Sequence, residues 1–194
     1  IAGAVAEMKK NIIARDYPDL DSSQMHIYLV NAVDRLLSAM DPVSSKRAER
    51  DLKELHVHIR QPQFATEYKD GILKTSAGLE IPTQTVIWVS GICANTVEGF
   101  PAESIGHAGR FLTDRFCRVK GVKDVYAIGD VSLVEGDEEY PLGHPQLAQV
   151  AMQQAKTVAK NFKAMSKGKE LKPFKYKNLG VMATIGRNHA VAEI

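Results

Sequence analysis

The part of the chain that most constrains its fold is residues 125–154. An apolar run at residues 125–128 ends in Gly129-Asp130, and an acidic loop separates it from a helical pattern that begins at Pro145. A buried strand with this ending lets a ligand approach the backbone and places a carboxylate where open α/β sheets bind ligands. Proline suits the first position of a helix, and helix N-termini attract anionic groups. The segment therefore predicts an α/β fold with a ligand site at the start of a long helix.

The remainder of the chain alternates between helix and strand patterns. Apolar side chains recur at helical spacing in residues 1–15, and Ser44 or Ser45 is placed to cap a charged helix that ends near Leu55. Asp70-Gly71 lies between two alternating segments, which predicts a tight hairpin. The patterns also predict a long helix at residues 145–165 and strands at residues 26–30, 56–59, 85–89, 110–118, 125–128, 179–185 and 190–194. This order is typical of doubly wound nucleotide-binding domains.

Composition narrows the functional classes. With 44% hydrophobic and 25% charged residues the chain has the composition of a globular protein, and its net charge of +2 gives no reason to expect nucleic acid. No segment has the ~20 consecutive apolar residues of a membrane span. Cys93 and Cys117 form no close pair, so no disulphide is predicted, and the histidine spacing predicts no metal site. The lysines of residues 156–177 would suit a membrane surface or an acidic partner, or form a solvated face.

Two motifs resemble one family. Ala-Ile-Gly-Asp at residues 127–130, followed by Ala-Gln-x-Ala-x-Gln at residues 148–153, is similar to the flavin-and-quinone segment of type II NADH dehydrogenases, the NADH:quinone oxidoreductases that do not pump protons. Residues 1–8 resemble the helix after that family's second Gly-rich turn, and residues 86–91 resemble the strand beside the nicotinamide. Residues 174–180 and 183–187 resemble the hairpin that closes the flavin domain. The likeness thus extends over nearly the whole chain.

The resemblance implies an α/β fold of the pyridine nucleotide-disulphide oxidoreductase type. Residues 1–92 would be an incomplete Rossmann-like NAD(P)H-binding domain that lacks its first strand and Gly-rich turn. Residues 93–194 would be the C-terminal part of an FAD-binding domain with a quinone-site helix. The complete protein would bind FAD, take hydride from NADH and pass two electrons to a membrane quinone, with the flavin carrying the chemistry. This chain alone is expected to be inactive.

The resemblance also assigns binding residues, and each assignment has an alternative. Gly129 and Asp130 would hold the flavin, or would simply end a strand. Ala148 and Gln149 would lie beside the flavin. Gln149 would also meet the quinone together with Gln153, because residues four apart share a helix face and an amide can bond a quinone carbonyl. The same glutamines also fit a solvated polar stripe. No catalytic acid or base is expected.

The nucleotide site carries one departure from the family. Gly91 would let the nicotinamide lie close to the backbone, or would be an ordinary loop glycine. Asn31 follows the strand at residues 26–30, where the family generally has a glutamate that binds the adenosine ribose and repels a 2′-phosphate. An amide can still bond the ribose hydroxyls but lacks the repulsion. NADPH use is therefore a hypothesis beside NADH use.

Other functions and partners stay open at this stage. A ferredoxin reductase or a sulfide:quinone oxidoreductase would share the two-dinucleotide fold, and a cofactor-free fragment would share the sequence without the activity. The complete protein is expected on the cytoplasmic side of the inner membrane, attached peripherally through a segment beyond Ile194, and the fragment alone is expected to be soluble. A sheet without its first strand exposes an edge that invites a homodimer.

Overall fold

The computed structural model describes all 194 residues. They form two compact units, one of residues Ile1–Ile87 with Gly180–Ile194 and one of residues Trp88–Leu179. The sequence predicted a single division after residue 92, with the C-terminal hairpin in the second part. The hairpin differs from that prediction because its apolar side chains Ile185 and Val191 pack into the core of the first unit. No helix has the length and apolar character needed to cross a bilayer.

The first unit is built on two parallel strands and the helices beside them. Helix α1 (Ala2–Met8) continues through a π-helical turn at Lys9–Ile13 into a final turn, α2 (Ala14–Asp16). Strand β1 (Ile27–Val30) pairs in parallel with β2 (Val57–Arg60), as predicted. The pattern predicted β1 to be buried on both faces, but Tyr28 is exposed, so one face of this pair is open.

Helix α3 (Pro42–Glu54) connects these two strands. It begins earlier than the predicted cap at Ser44 or Ser45, because Pro42 occupies the first turn and Asp41 stands at the N-cap. Proline is suited to this position because the N–H it lacks would have no helical partner there. Ser45 instead lies buried inside the helix, where its hydroxyl accepts a hydrogen bond from Nη1 of Arg35 at 2.9 Å.

The C-terminal hairpin packs against α1. Strand β8 (Val181–Gly186) pairs antiparallel with β9 (His189–Glu193). Gly3 permits the contact, because a Cβ there would lie 1.5 Å from the carbonyl oxygen of Ile185. Glu7 fixes the turn by accepting the N–H of Arg187 on both carboxylate oxygens, at 2.7 and 2.6 Å. The shared core contains Ala6, Leu36, Met40, Ala48, Leu52, Val57, Ile185 and Val191.

A three-stranded meander completes the first unit. Strands β3 (Ala65–Lys69), β4 (Ile72–Thr75) and β5 (Glu80–Pro82) are antiparallel, and the predicted turn at Asp70-Gly71 is confirmed, with φ of 50° and 75°. The strand predicted at residues 85–89 is wrong. Ile87 and Trp88 are 54% and 68% exposed, and residues 85–89 pair with no strand. Its apolar run indicated burial, but a strand also requires a neighbour to bond.

The second unit contains one parallel strand pair and one long helix. Strand β6 (Phe111–Thr113) pairs with β7 (Ser132–Val134), so the strand predicted at residues 110–118 is much shorter than expected. Residues 125–128 bond residues 117–119 around a single isolated bridge between Tyr126 and Arg118 and do not form the predicted strand. Helix α4 (Ala148–Met165) starts three residues after Pro145, because Leu147 is still extended, with φ −127° and ψ 144°.

Candidate functional site

The turn at Gly129-Asp130 is the centre of the candidate site in the second unit. Gly129 has a φ of 73°, and a Cβ there would lie 3.3 Å from Cβ of Ala151 on α4. The positive φ favours glycine at this position, since other residues are strained there, and the contact with Ala151 leaves little room for a side chain. Asp130 follows in a short 3-10 turn with its side chain exposed. The backbone of Gly129 lies close to α4, and an acceptor carboxylate points to solvent beside it.

Two glutamines from the α4 segment hold this turn. The N–H of Gly129 donates to Oε1 of Gln154 at 2.6 Å, and Gln154 is only 1% exposed. Nε2 of Gln146 donates to the carbonyl oxygen of Asp130 at 3.0 Å. Gln154 was not among the predicted site residues. Its spacing of four residues from the apolar Val150 and Val158 is the signal that could have identified it as lying on the buried face of the helix.

Arg110 supports two segments that follow the turn in the chain. Its Nε donates to the carbonyl oxygen of Ser132 at 3.0 Å, and its Nη2 donates to that of His144 at 3.2 Å. The side chain is buried, so desolvation lowers the pKa of Arg110, while the charge of Asp130 acts in the opposite sense. Arg110 thus places a positive charge beneath the turn without pairing directly to a carboxylate.

His144 anchors the loop that leads to α4. Its side chain is 1% exposed, and its ring packs against the rings of Tyr140, Phe174 and Tyr176. Nε2 lies 3.3 Å from Oδ2 of Asp137, although neither ring nitrogen makes a well-aligned hydrogen bond. Burial lowers the pKa of His144, and the adjacent Asp137 opposes that shift. The buried ring thus fixes the loop two residues before Gln146.

Gln149 and Gln153 bind backbone. Oε1 of Gln149 accepts the N–H of Leu179 at 3.0 Å. Gln153 uses both ends of its amide on Lys177, accepting its N–H at 3.0 Å and donating to its carbonyl oxygen at 2.9 Å. The predicted shared face is present, and it holds residues 177–179 along α4. Ala148, the first residue of α4, is exposed at the start of the same helix.

The two nucleotide-site residues lie in different units. Asn31 follows β1 in the first unit, and its Nδ2 donates to the carbonyl oxygens of Val33 and Arg35 at 2.9 and 3.3 Å. A carboxylate could not make these two bonds, because it has no hydrogen to donate. Gly91 belongs to the second unit, is exposed, and has a φ of 109° with open space where a Cβ would be.

Comparisons with known proteins identify the family of the chain. Residues 2–155 match the family model described as pyridine nucleotide-disulphide oxidoreductase. The chain is 30% identical over 207 residues to the type II NADH:quinone oxidoreductase NdhA of Mycobacterium tuberculosis, covering 100% of this chain and 43% of that protein. It is 32% identical over 185 residues to the internal alternative NAD(P)H-ubiquinone oxidoreductase A1 of Arabidopsis thaliana, covering 88% of this chain and 35% of that protein.

A solved structure supports the fold. NDH2 from Plasmodium falciparum, in complex with NADH, superposes with a TM-score of 0.85 at 15% identity, covering 98% of this chain and 54% of that one. The predicted fold class is thereby confirmed. The chain spans about two fifths of the length of the curated relatives that it matches. With its family model, its fold and the sequence similarity in agreement, the chain belongs to the pyridine nucleotide-disulphide oxidoreductase family and is similar, along its whole length, to type II NADH:quinone oxidoreductases.

Proposed function

We propose that the complete protein is an FAD-dependent oxidoreductase that transfers electrons from NADH or NADPH to a quinone. The observation that carries this proposal is the Gly129-Asp130 turn, where glycine allows close approach and an exposed carboxylate follows it. These residues fit a flavin, because a carboxylate at this position accepts hydrogen bonds from the hydroxyls of a ribityl chain. Bound flavin supplies the acceptance and release of the electron pair.

The residues of this chain would bind and orient rather than transfer protons. Asp130 would hold the ribityl chain, with Gly129 and Ala148 leaving space for the flavin. Gln149 and Gln153 would shape the quinone end through residues 177–179, whose backbone they bind. Gly91 and Asn31 would contact the nucleotide. We assign the first unit, together with Gly91, to the nucleotide and the remainder of the second unit to the flavin. The complete protein would lie peripherally on the cytoplasmic side of the inner membrane, and a homodimer is compatible with this location.

The test is the complete protein, purified and compared with its Asp130→Ala variant. The wild-type protein is expected to be yellow and to oxidise NADH with a soluble quinone. The affinity of the variant for FAD is expected to be lower by a factor of about ten or more, because a charge-assisted hydrogen bond contributes about 1.5–3 kcal/mol. A colourless wild-type protein would refute the proposal. Activity with ferredoxin or sulfide, but not with quinone, would instead indicate one of the other reductase classes.

The nucleotide preference is tested separately by comparing NADH with NADPH. Asn31 presents no negative charge at the end of β1, and its donor hydrogens are used by the loop carbonyls. We therefore expect kcat/KM for the two nucleotides to differ by less than about tenfold, because the repulsion that normally excludes a 2′-phosphate is absent. A preference for NADH much larger than this would overturn the hypothesis.

A further inference from the structure

Gln154 is a buried residue of α4 whose side chain bonds the Gly129-Asp130 turn. It is a helix residue with a large polar side chain, yet it is 1% exposed. A buried amide is stabilising only when it has hydrogen-bond partners, because its desolvation otherwise costs about 1–3 kcal/mol. Its Oε1 is directed at the N–H of Gly129, 2.6 Å away, rather than at its own helix. The buried amide therefore stabilises the backbone of the turn at Gly129.

Gln146 completes the arrangement from the opposite side of the same dipeptide. It donates to the carbonyl oxygen of Asp130, while Gln154 accepts the N–H of Gly129. The N–H and the carbonyl that bracket Gly129-Asp130 are thus both held by side chains. Fixing these two groups restricts the backbone dihedrals between them, and those dihedrals set the direction of the Asp130 Cα–Cβ bond. The Asp130 side chain itself remains exposed.

We propose that Gln154 is a positioning residue which, together with Gln146, directs the Asp130 carboxylate towards the ribityl chain of a bound flavin. The inference rests on the proposed function and deepens it, because it names residues that set the flavin contact without touching the flavin. A carboxylate must be held close to its productive geometry by such supporting contacts, since small displacements weaken a hydrogen bond steeply.

Asn161 provides a matched control. It is also a buried amide of α4, 4% exposed, and it also bonds backbone, donating to the carbonyl oxygen of Lys172 at 2.8 Å and accepting its N–H at 2.9 Å. Its partner lies in residues 171–179, which form no strand or helix, and not in the turn. Loss of the Asn161 amide should therefore lower stability without changing the direction of Asp130.

The experiment measures FAD affinity by flavin fluorescence in the complete protein. Gln154→Met is expected to weaken FAD binding about tenfold, because the N–H of Gly129 loses its acceptor. Asn161→Leu should bind FAD within about twofold of the wild type. If Asn161→Leu weakens FAD as much as Gln154→Met does, the effect is general destabilisation and the inference is overturned.

A double-mutant cycle with Asp130→Ala separates positioning from any direct role. If Gln154 acts through Asp130, Gln154→Met has no further effect on FAD affinity once the carboxylate is gone, whereas additive effects overturn the inference. Should Gln154→Met fail to fold, Gln146→Met gives the same cycle from the other end of the turn. A wild-type protein that binds no FAD would refute the proposed function itself, and the inference with it. A wild-type protein that binds FAD but gives additive cycles would refute the inference alone.

Discussion

Replacement of Gly3 by alanine tests how the C-terminal hairpin is held. A Cβ at Gly3 would lie 1.5 Å from the carbonyl oxygen of Ile185 and 2.7 Å from its carbonyl carbon. Both are backbone atoms, so no change of rotamer can relieve the contact. Ordinary van der Waals contact begins at 3.4 Å. The Cβ would lie about 2 Å closer to the carbonyl oxygen than this, so the hairpin or α1 must move by about 2 Å. Such a movement is costly because protein interiors are close-packed.

The magnitude follows from what the hairpin buries. Ile185 and Val191 are 7% and 3% exposed, and each contributes about 1.5–3 kcal/mol when fully buried. Full release of the hairpin would therefore cost about 3–6 kcal/mol. The higher helix propensity of alanine stabilises the folded chain by about 1 kcal/mol relative to glycine. We expect Gly3→Ala to lower the free energy of unfolding by about 2–5 kcal/mol, the sum of these two effects.

Urea unfolding of this chain, followed by circular dichroism, measures the change. Ala4 is the control, because it is exposed on the same helix, and Ala4→Gly should cost only the intrinsic propensity of about 1 kcal/mol. The reasoning is refuted if Gly3→Ala is as stable as the wild type or more stable. That result would mean that α1 behaves at this position as an open helix surface.

Three further predictions concern single side chains. Because burial lowers the pKa of His144, the unfolded chain takes up more protons, and stability is lost as pH falls below about 6.5 through the folded pKa. Melting temperatures between pH 7.5 and 5.5 should fall less for His144→Phe than for the wild type; equal slopes would contradict this. Cys93 is exposed, whereas Cys117 is buried with its thiol pKa raised to about 12. One thiol per native chain should thus react with a disulphide reagent, as counted by intact mass, and early labelling of Cys117 would be the contrary result. Asn31→Asp should lower the free energy of unfolding by about 1–3 kcal/mol, measured in urea, because the carbonyls of Val33 and Arg35 lose their donor; an unchanged stability would show that these bonds contribute nothing.

The elements that the sequence predicted well are those whose signal is local. The Asp70-Gly71 turn requires positive φ, and these residue types supply it, so the hairpin was predictable from a dipeptide. Strands β1 and β2 were predictable because a short apolar run and an alternating run are separated by a helix of the right length. The predictions at residues 85–89 and 125–128 failed for one reason. An apolar run indicates burial, but only a partner backbone makes a strand, and these segments have little or none in this chain.

The hairpin and the start of α4 depended on information that no local pattern contains. Packing of β8 and β9 into the first unit depends on Gly3, which is more than 170 residues away in sequence. Proline at position 145 is compatible with a helix start, and it is equally compatible with the turn in which Leu147 bonds the Pro145 carbonyl oxygen at 2.9 Å. Proline therefore predicted where the helix begins to within three residues and no better.

The glutamines of α4 show why a polar stripe on a helix has more than two interpretations. The sequence offered a ligand-binding face or a solvated face for Gln149 and Gln153. Residues 171–179 form no strand or helix, yet Phe174 and Tyr176 within them are buried. Buried backbone of this kind must find hydrogen-bond partners outside regular structure.

Helix α4 supplies those partners through the amides of Gln149, Gln153 and Asn161, which bond Leu179, Lys177 and Lys172 in an antiparallel order. An amide is suited to this task because it donates and accepts at once, as a backbone neighbour in a sheet would. The stripe is thus accounted for by the fold before any quinone is considered. Gln154, the remaining glutamine of α4, instead accepts the N–H of Gly129. It therefore holds the backbone next to the exposed carboxylate of Asp130.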